Sequence, residues 1–308
     1  MTGNSTGPDP SRGWDDFWTR DRRQRRGGGC LPGGASGIED VQKREWQGFA
    51  KNLPRKSRIL DLATGDGRVM RWIAAVRPDA RLVGVDQAMV LPEPPRGSKV
   101  RAGIAIESLP FSDCWFDAIV SQFGFEYADM EQAAQEIARA LKPGGVAALL
   151  THRPDSPIVA HNRARRHQIS WALDEAKLVE QAKGSLSLRR TGANSIVPPN
   201  LAAAPAEGAR RFGHGSAAWE IAEAVRRSLI NGNQASMQIV ALLDEITAKA
   251  RSEISRLQSL EEAAANLERP EAFAALLAQA GLVQSAVKPL NDRSSSSPFA
   301  DFRTIRHI

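Results

Sequence analysis

Asp61, Gly65, Gly67 and Asp86 have the residue types and spacing of a nucleoside-binding site. The first three lie in Ile59-Leu60-Asp61-Leu62-Ala63-Thr64-Gly65-Asp66-Gly67-Arg68-Val69, an apolar run that ends in a glycine turn. The fourth closes the next apolar run, Leu82-Val83-Gly84-Val85-Asp86. Glycine at 65 and 67 lets the backbone approach a ligand with no Cβ in the way. A carboxylate about twenty residues further on can accept hydrogen bonds from ribose hydroxyls. A dinucleotide fingerprint requires a third glycine where this chain has Met70. Asp61 would repel a pyrophosphate, but it suits the cationic amino-acid portion of a ligand. The pattern therefore points away from NAD and toward S-adenosylmethionine. Taken singly, each aspartate also suits a helix cap or turn, and each glycine a tight connection.

Three further signals follow in order: Glu107-Ser108-Leu109-Pro110-Phe111, then Trp115 to Gln122, then Ala140-Leu141-Lys142-Pro143-Gly144-Gly145 leading into Val146 to Leu150. From about Ile59 to Thr151 the chain resembles the class I S-adenosylmethionine-dependent methyltransferases. Its Ala-Thr-Gly turn looks like that of the quinone-biosynthesis C-methyltransferases within them. The resemblance implies that Asp61, Ala63, Thr64, Gly65 and Gly67 hold the methionine part of the cofactor and that Asp86 binds its ribose. Ala105, Ile106 and Glu107 would border the adenine. Two positions depart from the family: Ala63 stands where glycine is frequent, and Ala105 where an acid is frequent. The second leaves the backbone of Ile106 to bind the ring, so weaker cofactor affinity is expected.

Methyl transfer from a sulfonium is an in-line displacement, so positioning matters more than acid-base machinery. A hydroxyl or ammonium acceptor must still lose a proton. His152, just past the fifth expected strand, is the best-placed base, with His161 and Glu126 behind it. The alternative for His152 is a hydrogen bond to a loop. The reading is methyl transfer to a small-molecule acceptor held under a helical cap. Methylation of RNA or protein, or a non-catalytic cofactor-binding subunit, are the alternatives.

The elements that must position these residues follow from periodicity. Short apolar runs alternating with helical stretches from Arg58 to Leu150 imply parallel strands joined by right-handed helical crossovers. The fold class is α/β: a Rossmann-like doubly wound sheet, mostly parallel with a C-terminal antiparallel strand, plus a helical insertion. Strands are expected at 58–62, 81–86, 99–104, 116–121 and 146–151. A closing pair is expected at 282–290 and 300–308. Ligands bind beyond the carboxyl ends of such strands, which would gather Asp61, Asp86, Gln122 and His152 at one edge.

Residues 1–37 are read as a flexible N-terminal segment, 38–153 as the cofactor-binding core, 154–268 as the helical insertion or cap, and 269–308 as the rest of the core. Trp14 or Trp18 could fold over the cofactor or pack on the core. Trp46 and Phe49 are spaced for one face of a helix over 38–53. A proline- and glycine-containing stretch from Gly192 to Gly215 interrupts the insertion. Ile239, Leu243, Ile246, Ala250, Ile254 and Leu257 mark an amphipathic helix. That stripe could be internal packing, a lipophilic pocket or the surface of a homo-oligomer.

No apolar run in the 308 residues approaches the roughly eighteen of a membrane span. With no secretory signal in the first residues, a cytoplasmic protein is expected. Two cysteines, Cys30 and Cys114, have neither disulfide nor zinc spacing. The net charge of +6 is concentrated in arginine clusters at 20–26, 163–166 and 210–211. These could meet nucleic acid, but no aromatic-rich RNA-binding signature interleaves with them, which favours a solvated face or a flexible arm.

Overall fold

The computed structural model describes residues 36–190, 197–230, 236–292 and 297–308. These divide into two compact units: one reaches Ala160 and resumes over Ser259–Ile308, and the other is His161–Gln258. Trp14, Trp18, the arginines at 20–26, Cys30, the glycine-rich stretch before Ser36 and Ser294 to Ser296 lie outside the described residues.

The first unit is built on one sheet of seven strands: β1 (Arg58–Leu62), β2 (Arg81–Asp86), β3 (Lys99–Ala102), β4 (Phe116–Gln122), β5 (Leu141–His152), β6 (Leu282–Asn291) and β7 (Pro298–His307). The order is β3-β2-β1-β4-β5-β7-β6. Strands β1 to β5 run parallel, and β7 is antiparallel to both of its neighbours. The order reverses between β1 and β4, the switch point at which a crevice opens beyond the strand ends in folds of this kind. This is the Rossmann-like doubly wound sheet with a C-terminal antiparallel strand that the apolar runs imply.

Side chains along a strand alternate between faces, and here both faces are covered. Ile59, Ala118, Val120, Ala148 and Leu150 pack into one core with helices α1 (Ser36–Lys51) and α2 (Arg68–Val76). Leu60, Leu62, Ile119, Ala147 and Leu149 pack into the opposite core with α3 (Met130–Ala140) and a later helix, Pro270–Gln279. That is why these strands read as continuous apolar runs. Helix α3 starts where Asp129 accepts from the N–H groups of Glu131 and Gln132, satisfying donors that the helix itself leaves free. Trp46 and Phe49 share a face of α1, as their spacing predicts. The Trp46 ring meets Phe302 edge-on at 5.0 Å.

Two boundaries differ from expectation. The third strand ends at Ala102 because Gly103 turns the chain with φ of 70°. The fifth starts at Leu141, before the Lys142-Pro143-Gly144-Gly145 segment, and a register shift against β4 between Phe116 and Ala118 absorbs it.

The second unit is helical. Helix α4 (Pro157–Ser170) leads into it and is followed by α5 (Leu178–Arg190), α6 (Pro199–Phe212), α7 (Ala217–Ile230) and α8 (Ser236–Ala265), which leads out again. The last helix of the chain, Pro270–Gln279, is α9. The stretch expected to interrupt the helices contains one, because Pro199 sits in its first turn, where a missing N–H does no harm, and an alanine run follows. Of the stripe residues, Ile239, Leu243, Ala250, Ile254 and Leu257 are buried in this unit's own core. Internal packing thus accounts for the stripe. Among the described residues no helix is long and apolar enough to cross a membrane.

Candidate functional site

A cavity lies at the carboxyl ends of β1, β2, β4 and β5. Of the residues expected there, Asp61, Ala63, Thr64, Gly65, Asp86, Ile106, Glu107, Gln122 and His152 line it, and Gly67 does not. Gly67 shapes the turn instead. It takes φ of 69°, and a Cβ at this position would lie 2.7 Å from Pro95 Cδ. Ala105 is half-buried and outside the lining, Glu126 lies behind it, and His161 is exposed.

Asp61 is 1% exposed, and its Oδ2 accepts from Thr64 Oγ1 at 2.6 Å. Burial pushes its carboxyl up from 3.8 to about 7; the Thr64 hydroxyl works against this, and the nearby Asp86 and Asp66 add to it. A buried carboxylate in a field of like charge is ready for a cation, which would favour its ionised form. Asp86 is held differently. Its Oδ2 accepts Gly65 N–H and its Oδ1 accepts Ala88 N–H, both at 2.9 Å. Each oxygen has a second lone pair, so hydroxyls can bind an anchored carboxylate whose position is already set.

Ala63 adopts φ of 52°, the left-handed region that a side chain enters at some cost. Its methyl fits because residue 124 is glycine: a Cβ on Gly124 would stand 2.4 Å from the Cβ of Ala63. The glycine turn itself carries a buried ion pair that sequence reasoning missed. Arg68 Nε and Nη2 donate to the two oxygens of Asp66 at 3.0 and 2.8 Å. This fork keeps the arginine charge compensated on the cavity wall.

His152 and Glu126 form a second buried centre. Glu126 Oε1 accepts from the backbone N–H of His152 at 2.9 Å and lies 2.7 Å from its Nδ1. Glu126 is fully buried and His152 2% exposed. Because Glu126 Oε1 already accepts the backbone N–H, Nδ1 is the donor of this pair and Nε2 the acceptor nitrogen of the neutral ring. Phe123 stacks at 4.3 Å from the His152 ring and Tyr127 meets it edge-on at 5.8 Å. Sequence reasoning named His152 and Glu126 as separate candidates; the fold makes one an orienter of the other.

Gln122 accepts from Trp46 Nε1 at 2.6 Å. Gln42 of α1 joins it on the lining and is fully buried, and its Nε2 has no hydrogen-bond partner among the described residues. Nothing in the local sequence marks Gln42, since only tertiary packing brings α1 to the strand ends. Buried acceptor carboxylates beside an unsatisfied donor match a ligand with a cationic group, hydroxyls and an acceptor oxygen. S-adenosylmethionine meets all three requirements.

Comparison with known proteins agrees. Residues 60–149 match the family model described as a methyltransferase domain. Demethylmenaquinone methyltransferase of Thermus thermophilus is 37% identical over 105 residues, which cover 32% of this chain and 48% of that protein. The ubiquinone/menaquinone biosynthesis C-methyltransferase UbiE of Syntrophotalea carbinolica is 39% identical over 117 residues, covering 35% and 49% respectively. The chain spans about half the length of these curated relatives. The solved complex of the Haloferax volcanii Trm112 methyltransferase activator and a methyltransferase aligns over 97% of both chains at 14% identity, with a TM-score of 0.48; the fold here is read from its own strand order. Over residues 60–149, then, the chain is similar to S-adenosylmethionine-dependent methyltransferases and carries a match to their methyltransferase domain.

Proposed function

We propose that this protein is a cytoplasmic enzyme that methylates a small-molecule acceptor, an aromatic ring bearing an ionisable hydroxyl. The observation that carries the reading is His152, backed by Glu126, on the wall of a cavity that also presents Asp61 and Asp86. When bound, S-adenosylmethionine supplies an electrophilic methyl group. Asp61 would hold its ammonium group and Asp86 its ribose hydroxyls, with Ile106 and Glu107 beside the adenine.

His152 Nε2 takes the proton of the acceptor hydroxyl, while Glu126 holds the ring in the required tautomer and stabilises the imidazolium that forms. Removing that proton makes the phenolate oxygen, and the ring carbon ortho to it, a stronger nucleophile; methylation at that carbon is completed by loss of its own ring proton. Phe123, Tyr127 and Ile158 give this part of the cavity an aromatic and aliphatic lining suited to a flat ring. The curated relatives are named as a demethylmenaquinone methyltransferase and as a C-methyltransferase of ubiquinone/menaquinone biosynthesis, and we extend that acceptor class to this chain. Methylation of RNA is disfavoured by the pairing of the described arginines. Arg165 is bonded to Glu253 and Glu220, and Arg210 and Arg211 both bond Glu207.

Calorimetry with S-adenosylhomocysteine tests the first half of the proposal, and absence of binding rejects it. The second half is tested with Glu126→Gln and His152→Ala. Each should lower the rate of methyl transfer by about a hundredfold or more while the affinity for S-adenosylhomocysteine stays within about twofold. Undiminished turnover in both variants would remove the dyad from the mechanism.

A further inference from the structure

The side chains around the cavity are mostly committed to one another. Thr64 donates to Asp61, Arg68 is forked onto Asp66, and His152 Nδ1 is engaged by Glu126. Gln42 stands apart, because its amide nitrogen is fully buried and has no acceptor among the described residues. Leaving such a donor unsatisfied is unfavourable by about 1–3 kcal/mol, so its presence on a cavity wall calls for a ligand atom that satisfies it.

The polarity of this group is fixed by its neighbours. The Trp46 indole can only donate, and it donates to Gln122 Oε1 at 2.6 Å. Gln122 must then present Nε2 to Gln42, which it does at a long 3.5 Å to Oε1. Gln42 is left with its NH2 free, so the cavity is offered a donor. Flipping the Gln42 amide would set donor against donor, its NH2 facing that of Gln122.

The location narrows the class of ligand atom. Asp61 on β1 is in register with Val120 on β4, and Gln122 follows two residues later on the same strand. Gln42 thus shares a cavity wall with Asp61, the group best suited to an ammonium, and the partner of an ammonium in an amino-acid head group is a carboxylate. Resting on the cofactor reading above, we propose that Gln42 is a ligand-binding residue. Its amide donates to the carboxylate of the amino-acid portion of the nucleoside, and Trp46 and Gln122 fix its polarity.

The test compares two probes that differ in that head group, S-adenosylhomocysteine and 5′-methylthioadenosine, binding to wild-type protein, Gln42→Met and Gln42→Glu. Loss of one hydrogen bond to a charged group predicts about tenfold or greater weakening of S-adenosylhomocysteine by Gln42→Met. Gln42→Glu should weaken it further, since carboxylate would face carboxylate. Affinity for 5′-methylthioadenosine should be unchanged in both variants. Ligand-free Gln42→Met should unfold at the same temperature as wild type or higher, since it removes an unsatisfied donor; a lower melting temperature with equal losses for both probes would assign Gln42 to packing and overturn the proposal. Unchanged S-adenosylhomocysteine affinity in both variants would overturn it too. If wild-type protein binds 5′-methylthioadenosine but not S-adenosylhomocysteine, this inference fails and nucleoside binding stands. Binding of neither probe overturns both.

Discussion

Asp86 is anchored before any ligand arrives, because Gly65 N–H and Ala88 N–H hold its two oxygens. Replacing Asp86 with Ala therefore removes the carboxylate proposed to accept the ribose hydroxyls and leaves two backbone donors without their partner. We expect at least about a tenfold loss of S-adenosylhomocysteine affinity by calorimetry, together with a stability loss of about 1–3 kcal/mol in urea unfolding. Asp61 predicts a pH dependence. Its folded-state value of about 7 stands above the ordinary 3.8, so between these limits the unfolded chain has released a proton that the folded chain retains. Its contribution to stability is complete below about pH 4 and is lost as pH rises through 7, and Asp61→Asn should flatten that part of a pH–stability curve. Ligand affinity runs the other way: a cationic head group needs the ionised carboxylate, so S-adenosylmethionine should bind more tightly at pH 8 than at pH 6, and equal affinity at both would contradict the assignment. At this scale the sequence was informative wherever function lies in contiguous residues. Asp61, Ala63, Thr64, Gly65, Asp86 and the 106–107 pair all reach the cavity wall. Gln42, Phe123 and Tyr127 reach it too, but their roles depend on the packing of separate elements, which no local pattern encodes.

At the scale of elements, α1 is the piece that joins core packing to the site. Trp46 is fully buried, stacks edge-on against Phe302 of β7 and donates to Gln122 at the end of β4. Trp46→Ala would open a large void and free the Gln122 amide. We predict a destabilisation of about 3–5 kcal/mol in chemical denaturation. Trp46→Phe should retain most of the packing and lose chiefly the hydrogen bond. Elements were legible where burial on both faces writes an apolar run. Strands β1 and β2 occupy the expected residues, and Trp46 with Phe49 marks α1. Helix α6 was not legible, because Pro199 and Pro205 read as breakers although the first sits harmlessly in the opening turn. The early end of β3 depended on the backbone of one glycine, whose conformation a run of residue types does not specify.

For the molecule as a whole, the main feature is that a helical unit, His161–Gln258, is inserted into a sheet-based one. The sheet-based unit closes the break itself. Val159, just before the insertion, lies in one buried cluster with Leu260 and Ala264, just after it, and Tyr127 packs against them. The Asn266 side chain also donates to the Glu126 carbonyl at 3.3 Å, tying the returning chain to the residue that orients His152. Adjacent entry and exit points make the two units separable in principle. A chain in which a short glycine linker replaces 161–258 should remain folded and hold S-adenosylhomocysteine within about tenfold of the full-length affinity, since each unit keeps its own core. Failure of that chain to fold would show that the two cores are not independent. If it does fold, the helical unit is a cassette: a lineage could trade it for another, and with it whatever selectivity it confers, without re-threading a single strand of the scaffold that carries the nucleoside pocket.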